Sequence, residues 1–244
     1  MTTGAEQDLT AVGDGIHALN AAWSFAGESS VNFDDHVSKS VPFYQAGHDL
    51  VEKLSDFFVG PASTVYDLGC STGALTERLA RRHQGRDVRM VGVDREPDMV
   101  GLARDRCGGL PGVEIVQADL RDMKWEKADL IVMYYAMQFV PPRWRQEVLD
   151  QIYEALNWGG ALIIFEKVRG PDARFQDVMT QLYTEYKLSQ GYTPDDIVAK
   201  SRSLKNVLEP FSTRGNIDLL SRAGFVDYMT VQKYVCFEGF LAIK

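Results

Sequence analysis

The chain has 244 residues, 45% apolar and 25% charged, which suits a globular protein with a sizeable core and excludes a disordered or fibrous one. A net charge of −8 disfavours attachment to phosphate backbones, so direct nucleic-acid binding is not expected. Three scattered cysteines, four histidines without ligand spacing, no apolar run near about 18 residues and no signal peptide point to a cytoplasmic protein without metal, disulfides or membrane span.

Residues 1–22, rich in Ala, Gly and Thr, read as a mobile arm or a loosely docked helix. Apolar positions from Val37 to Phe58 recur near helical spacing, with Pro42 marking a bend, which makes 1–63 an N-terminal arm and helical cap. Strands are expected at 64–68, 88–94, 113–118, 128–134 and 160–166, and helices at 73–83, 97–107 and 143–156. That alternation predicts a parallel sheet wound by helices over 64–168. Arg78, Arg81, Arg82, Arg86 and Arg89 cluster on and after one surface helix and read as a solvated face. Residues 169–212 read as a helical insertion, a lid on the side of the strands' carboxyl ends. A helix from Thr213 to Ala223 and a hairpin around Glu238-Gly239 complete the sheet over 213–244.

The densest information lies in Thr64-Val-Tyr-Asp-Leu-Gly-Cys-Ser-Thr-Gly73. An apolar strand runs into a turn without bulky side chains, a helix follows, and the next apolar run ends in Asp94. Those parts build a crevice for an adenosine-bearing ligand, with Asp94 accepting hydrogen bonds from ribose hydroxyls. The spacing fails the G-x-G-x-x-G template of dinucleotide sites. Asp67-x-Gly69-x-Ser71-x-Gly73 instead resembles motif I of the class I S-adenosylmethionine-dependent methyltransferases. Val91-Gly-Val-Asp94, Val116-Gln-Ala-Asp119-Leu120 and Leu156-Asn-Trp-Gly-Gly-Ala-Leu162 match the same family in order.

From Trp23 to Lys244 the chain is similar to the carboxy-S-adenosylmethionine synthases, the CmoA family. The strings that carry this are Trp23-Ser-Phe25, Ser40-Val-Pro-Phe-Tyr44, Val65-Tyr-Asp-Leu-Gly-Cys-Ser71, Gln138-Phe139, Glu166-Lys167, Gly191-Tyr192, Ser203-Leu-Lys-Asn-Val207 and Ala223-Gly-Phe225. The resemblance implies an α/β fold, a Rossmann-like class I methyltransferase sheet, mostly parallel with a terminal antiparallel hairpin and a helical lid insertion. It implies S-adenosyl-L-methionine, or its carboxylated form, as cofactor and pairing of two copies through their lids. It places Tyr44 over the ligand, Asp67, Gly69, Cys70, Ser71 and Gly73 around the methionine part, Asp94 and Arg95 at the ribose, and Asp119 and Leu120 at the adenine. Tyr134 and Gln138 complete the cofactor set.

That family makes a carboxylated cofactor for tRNA wobble-uridine modification, taking the carboxyl group from prephenate. An arginine that pairs with the added carboxylate falls on Ser201 here, with Arg202 one residue on, and an asparagine falls on Tyr134. Serine lacks a charged fork for a carboxylate. The leading expectation is therefore a methyltransferase acting on a small-molecule acceptor with unmodified S-adenosylmethionine. Carboxy-S-adenosylmethionine synthesis and a non-catalytic binding module are the alternatives. Candidate catalytic residues are Tyr134, Tyr135, Glu166 and Arg202, with Tyr183, Tyr186 and Tyr192 from the lid hinting at a flat acceptor. The plainer readings are core packing for the strand-end tyrosines, a surface ion pair for Glu166-Lys167 and a solvated position for Arg202.

Overall fold

The computed structural model describes residues 10–25 and 32–244. In its described part the arm is neither a helix nor loose. Thr10–Ala11 (β1) and His17–Ala18 (β2) pair antiparallel around a turn whose Gly13 and Gly15 have positive φ. Val12, Ile16 and Trp23 bury against Ala199, Leu204 and Val207, an anchorage with no helical periodicity to announce it. Residues 1–9 of the expected arm lie outside the described residues. Phe33–Ser40 (α1) and Tyr44–Ser55 (α2) follow, separated at Pro42 as its missing amide requires.

Seven strands form the central sheet: Thr64–Leu68 (β3), Arg89–Asp94 (β4), Val113–Gln117 (β5), Ala128–Tyr134 (β6), Leu156–Lys167 (β7), Asp227–Tyr234 (β8) and Phe237–Ile243 (β9). Their order is β5-β4-β3-β6-β7-β9-β8. The first five are parallel, and β9 runs antiparallel between β7 and β8. This is the mostly parallel sheet with a terminal antiparallel pair that the sequence predicts. The chain steps outward from β3 to β5 and returns on the other side at β6, so the connections beyond β3 and β6 diverge and open a crevice there.

Helices Ala74–Arg82 (α3), Pro97–Cys107 (α4) and Pro142–Ala155 (α5) connect the parallel strands. Ala173–Ser189 (α6) and Pro194–Ser203 (α7) form the insertion, and Thr213–Ala223 (α8) leads into β8. Successive strand residues face opposite layers. Tyr66, Leu68, Val91, Val93, Ile131 and Met133 pack on Val148, Leu149 and Ile152 of α5 and Leu219 and Leu220 of α8. Val65, Met90, Leu130, Val132, Ile163 and Phe165 pack on Val51 of α2 and Leu75 and Leu79 of α3. Each fully buried side chain of this kind contributes about 1.5–3 kcal/mol, and both faces are covered, as a parallel sheet needs.

The arginine cluster is a paired surface. Arg78 meets Asp49 and Glu52, Arg81 meets Glu77, Arg82 meets Asp56, and Arg89 meets Glu114 and Glu126. Among the described residues no helix is long and apolar enough to cross a membrane.

Candidate active site

The turn after β3 is bare because its surroundings leave no room. Gly69 has φ 73°, and a Cβ there would lie 2.5 Å from the Ala136 methyl. Gly69 and Cys70 donate to the Val93 carbonyl at 2.7 and 3.0 Å, which ties the turn to β4. Asp94 completes the tie: Oδ2 accepts from the Ser71 amide at 2.9 Å and Oδ1 from the Glu96 amide at 3.0 Å. Burial raises the Asp94 carboxyl and the amides of Glu96 and Ser71 oppose it. Beneath the turn, Asp67 accepts from the Thr76 hydroxyl at 2.6 Å, and burial pushes its carboxyl up to about 6. Thr72 and Arg106 donate to the Asp34 carboxylate at 2.7 and 2.6 Å and so fasten α1 beside the turn.

The crevice is a cleft of about 860 Å³ between the sheet, α1, α6 and α7. Tyr44, Asp67, Gly69, Cys70, Ser71, Asp94, Arg95, Asp119, Leu120, Tyr134, Tyr135, Gln138 and Arg202 all line it. Two expected residues do not. Gly73 lies behind the turn, where a Cβ would sit 3.0 Å from Ala103, and serves the packing of α3 on α4. Glu166 is 1% exposed and points away, because strand alternation sends it and Lys167 to opposite faces. Neither is it half of a surface pair. Burial raises its carboxyl, the Arg145 charge and the amides of Met137 and Gln138 pull it back, and Oε1 has no partner among the described residues. It supports the turn that carries Gln138 instead of facing a ligand.

Several lining residues are already engaged. The Tyr134 hydroxyl donates to the Tyr44 carbonyl at 2.6 Å and so sets the start of α2. Asp119 accepts from the Arg121 guanidinium at 2.8 and 2.7 Å, which lowers its carboxyl. Arg95 donates to Glu96 at 2.9 Å. Gln138 accepts from the Lys167 amide at 2.9 Å. In contrast, the Tyr135 hydroxyl and His48 Nε2 line the cleft, are buried, and have no hydrogen-bond partner among the described residues. Buried polar atoms of this kind fit a polar guest. Burial lifts the Cys70 thiol far above its ordinary value and so holds it protonated at neutral pH.

The end of the cleft under α6 and α7 is cationic, which the sequence did not reveal. Lys167, Lys187, Lys200 and Arg202 line it, with Ser201 beside them. Lys187 and Lys200 are only 8% and 7% exposed. No carboxylate forms an ion pair with either, or with Lys167, among the described residues. Burial and then the neighbouring Lys167 lower Lys187 to about 8; burial and then Lys187 lower Lys200 to about 5. In a polar helical stretch these lysines read as ordinary surface charges, and only the fold brings them together. The lid tyrosines are less available than expected. The Tyr183 hydroxyl donates to the Ser40 carbonyl at 2.9 Å, that of Tyr192 donates to Asp14, and Tyr186 does not line the cleft.

Residues 65–160 match the family described as a methyltransferase domain. The carboxy-S-adenosyl-L-methionine synthase of Staphylococcus epidermidis is 34% identical over 223 residues, covering 91% of this chain and 97% of the relative. The protein of the same name from Campylobacter jejuni is 37% identical over 214 residues, covering 87% and 90%. Among solved structures, an O-methyltransferase family protein from Burkholderia thailandensis superposes with a TM-score of 0.64 at 18% identity, covering 88% of this chain and 59% of its own. Human N-acetylserotonin methyltransferase, in complex with S-adenosylmethionine, gives 0.56 at 18% identity, covering 91% and 60%. At such identities the structures speak for the fold alone.

Proposed function

The chain belongs to the carboxy-S-adenosyl-L-methionine synthase family of S-adenosylmethionine-dependent transferases, and from that premise we propose that it passes the methyl group of S-adenosylmethionine to a small acidic molecule. The observation that carries the acidic acceptor is the pair Lys187 and Lys200, two buried amino groups on separate helices that form no ion pair with a carboxylate among the described residues. Holding an amino group's charge out of water is costly, and burial accordingly lowers both groups, Lys200 to about 5. A guest carrying negative charge offsets that cost.

At the other end, the bare turn of Gly69, Cys70 and Ser71 suits the methionine part of the cofactor. In this reading Asp94 serves the ribose, Asp119 and Leu120 the adenine, and Tyr44, Tyr135 and Gln138 the enclosure. The cofactor supplies an electrophilic methyl carbon when bound. The protein holds cofactor and acceptor in line and, with α6 and α7 as a lid, keeps water out. The cleft volume suits a nucleoside-sized ligand together with a small acceptor.

A second reading, synthesis of the carboxylated cofactor from prephenate, is favoured by Arg202 beside Ser201, which keeps positive charge next to the position where serine replaces the family's arginine. Tyr134 weighs against it, since a hydroxyl committed to the Tyr44 carbonyl stands where the family has an asparagine. Mass spectrometry after incubation with S-adenosylmethionine and a panel of small hydroxy and amino acids tests the first reading. S-adenosylhomocysteine together with a methylated acid supports it. A cofactor heavier by one carbon dioxide after incubation with prephenate overturns it in favour of the second, and binding without turnover in either assay leaves a binding module.

Pairing through the lid has its support in Phe175, Val178 and Leu182, exposed and spaced along one side of α6. Sedimentation of the wild type against Val178→Glu tests a dimer.

A further inference from the structure

The cationic end of the cleft also holds an ordered histidine. His36 on α1 is 6% exposed and lines the cleft. Its Nδ1 lies 2.7 Å from Oδ2 of Asp14, in the turn between β1 and β2. The same oxygen accepts from the Tyr192 hydroxyl, and Oδ1 accepts from Lys39 at 2.7 Å. Burial works to raise the Asp14 carboxyl, but hydrogen bonds from Lys39, Tyr192 and His36 outweigh it and bring it to about 2. A permanent anion at Nδ1 draws the imidazole proton to that nitrogen. Nε2 is left with its lone pair, and its hydrogen-bonding neighbour is Ser40 Oγ at 3.5 Å, the outer limit of such a bond. The ring stacks on Trp23, centroids 5.8 Å apart, and the Lys200 amino group lies over the same indole. A base oriented by a half-buried carboxylate, with only a long contact to Ser40 on its other nitrogen and lining a substrate cleft, is the arrangement that activates nucleophiles.

We propose that His36 accepts, through Nε2, the proton of the acceptor's nucleophile, with Asp14 as the positioning residue that fixes its tautomer. This rests on the methyl-transfer reading. The acceptor's oxygen– or nitrogen–hydrogen bond breaks and its electron pair makes the new bond to the methyl carbon. The carbon–sulfur bond breaks with its pair left on sulfur, and the proton rests on Nε2 until product leaves. The described neighbours that bear on the ring's affinity for the proton are Asp14 from the arm, Lys187 from α6, Lys200 from α7 and the Tyr192 hydroxyl, 3.2 Å from Nδ1. Burial, and next Lys200, lower His36 to about 4 in the free protein, so it is unprotonated at neutral pH. An anionic acceptor beside the lysines offsets their charge and strengthens the base as it binds.

Nitrogen-15 NMR of the full chain with S-adenosylhomocysteine reads the tautomer and titration of His36 without any acceptor. The expected result is an Nδ1–H tautomer, an upward shift of about one pKa unit when malonate is added as the anionic probe, and loss of the tautomer preference in Asp14→Asn. An Nε2–H tautomer, or a titration that malonate does not move, overturns the proposal. With 4-hydroxybenzoate as acceptor probe, His36→Gln lowers kcat about a hundredfold at unchanged KM and flattens the acid limb of the pH profile. Full kcat in that variant equally overturns it. Should the wild type methylate no acid at all, the methyl-transfer reading has failed, and the NMR outcome decides the state of His36 by itself.

Discussion

The Asp94 carboxylate lies 2.9 Å from the Ser71 amide, so the residue that ends β4 also holds the tip of the turn that follows β3. One side chain thereby shapes the loop and offers its remaining acceptor capacity to the cleft. Asp94→Ala removes the partner of the Ser71 and Glu96 amides. Losing a charge-assisted bond to a ligand costs about 1.5–3 kcal/mol, so S-adenosylmethionine binding weakens by at least about tenfold. Isothermal titration calorimetry checks this, and unchanged affinity shows that the ribose lies elsewhere.

Lys200→Met trades a buried amino group, held without its proton near neutral pH, for an apolar chain of similar length. The free protein gains about 1–3 kcal/mol, and the melting temperature rises by about 2–4 °C per kcal/mol. Its pH dependence changes too. Lys200 is lowered from 10.5 to about 5, so between those values the unfolded chain binds the proton that the folded one does not. Stability from this group therefore rises with pH across that window, and the variant loses the slope. Calorimetry at several pH values reads both, and acid methylation should fall in the same variant.

Asp14 titrates with the opposite sign. Its carboxyl is held at about 2 against an ordinary 3.8, so its contribution is complete above 3.8 and lost as pH falls through about 2. The arm should loosen over that interval before the sheet does. Hydrogen exchange at the Val12, Ile16 and Trp23 amides checks this, and Asp14→Asn should show the same loosening at neutral pH.

A Cβ at Gly47 would meet the Tyr134 hydroxyl at 2.0 Å. Gly47→Ala is expected to destabilise by about 1–3 kcal/mol through that overlap. Tyr134→Phe alone costs about 1 kcal/mol, by leaving the Tyr44 carbonyl without its donor. Combined, they should cost less than their sum, since the colliding atom is gone; denaturant titration of the four proteins gives the coupling.

The parallel strands were legible because each is an apolar run closed by turn residues, and the glycine turn because its spacing carries the chemistry. Asp94, Ser71 and Tyr44 could be named from such strings. Lys187, Lys200, His36 and Asp14 could not. Each comes from a different polar stretch, and what distinguishes them is burial at one place, which depends on how α1, α6, α7 and the arm meet. Glu166 and Lys167 misled for a related reason: adjacency in a strand puts neighbours on opposite faces, so the pair that looks bonded in the string is separated by the sheet.

Asp14 and Tyr192 stand 178 positions apart along the chain. During synthesis the arm therefore leaves the ribosome long before its partners in and around α7 exist. Val12, Ile16 and Trp23 must wait uncovered while the whole parallel part of the sheet is made. Closing so long a loop adds entropy cost only slowly with length, but the event cannot precede residue 207. The roof of the cleft thus closes only after every parallel strand has been made, and a nascent chain truncated before residue 207 would carry its cofactor turn with no roof above it.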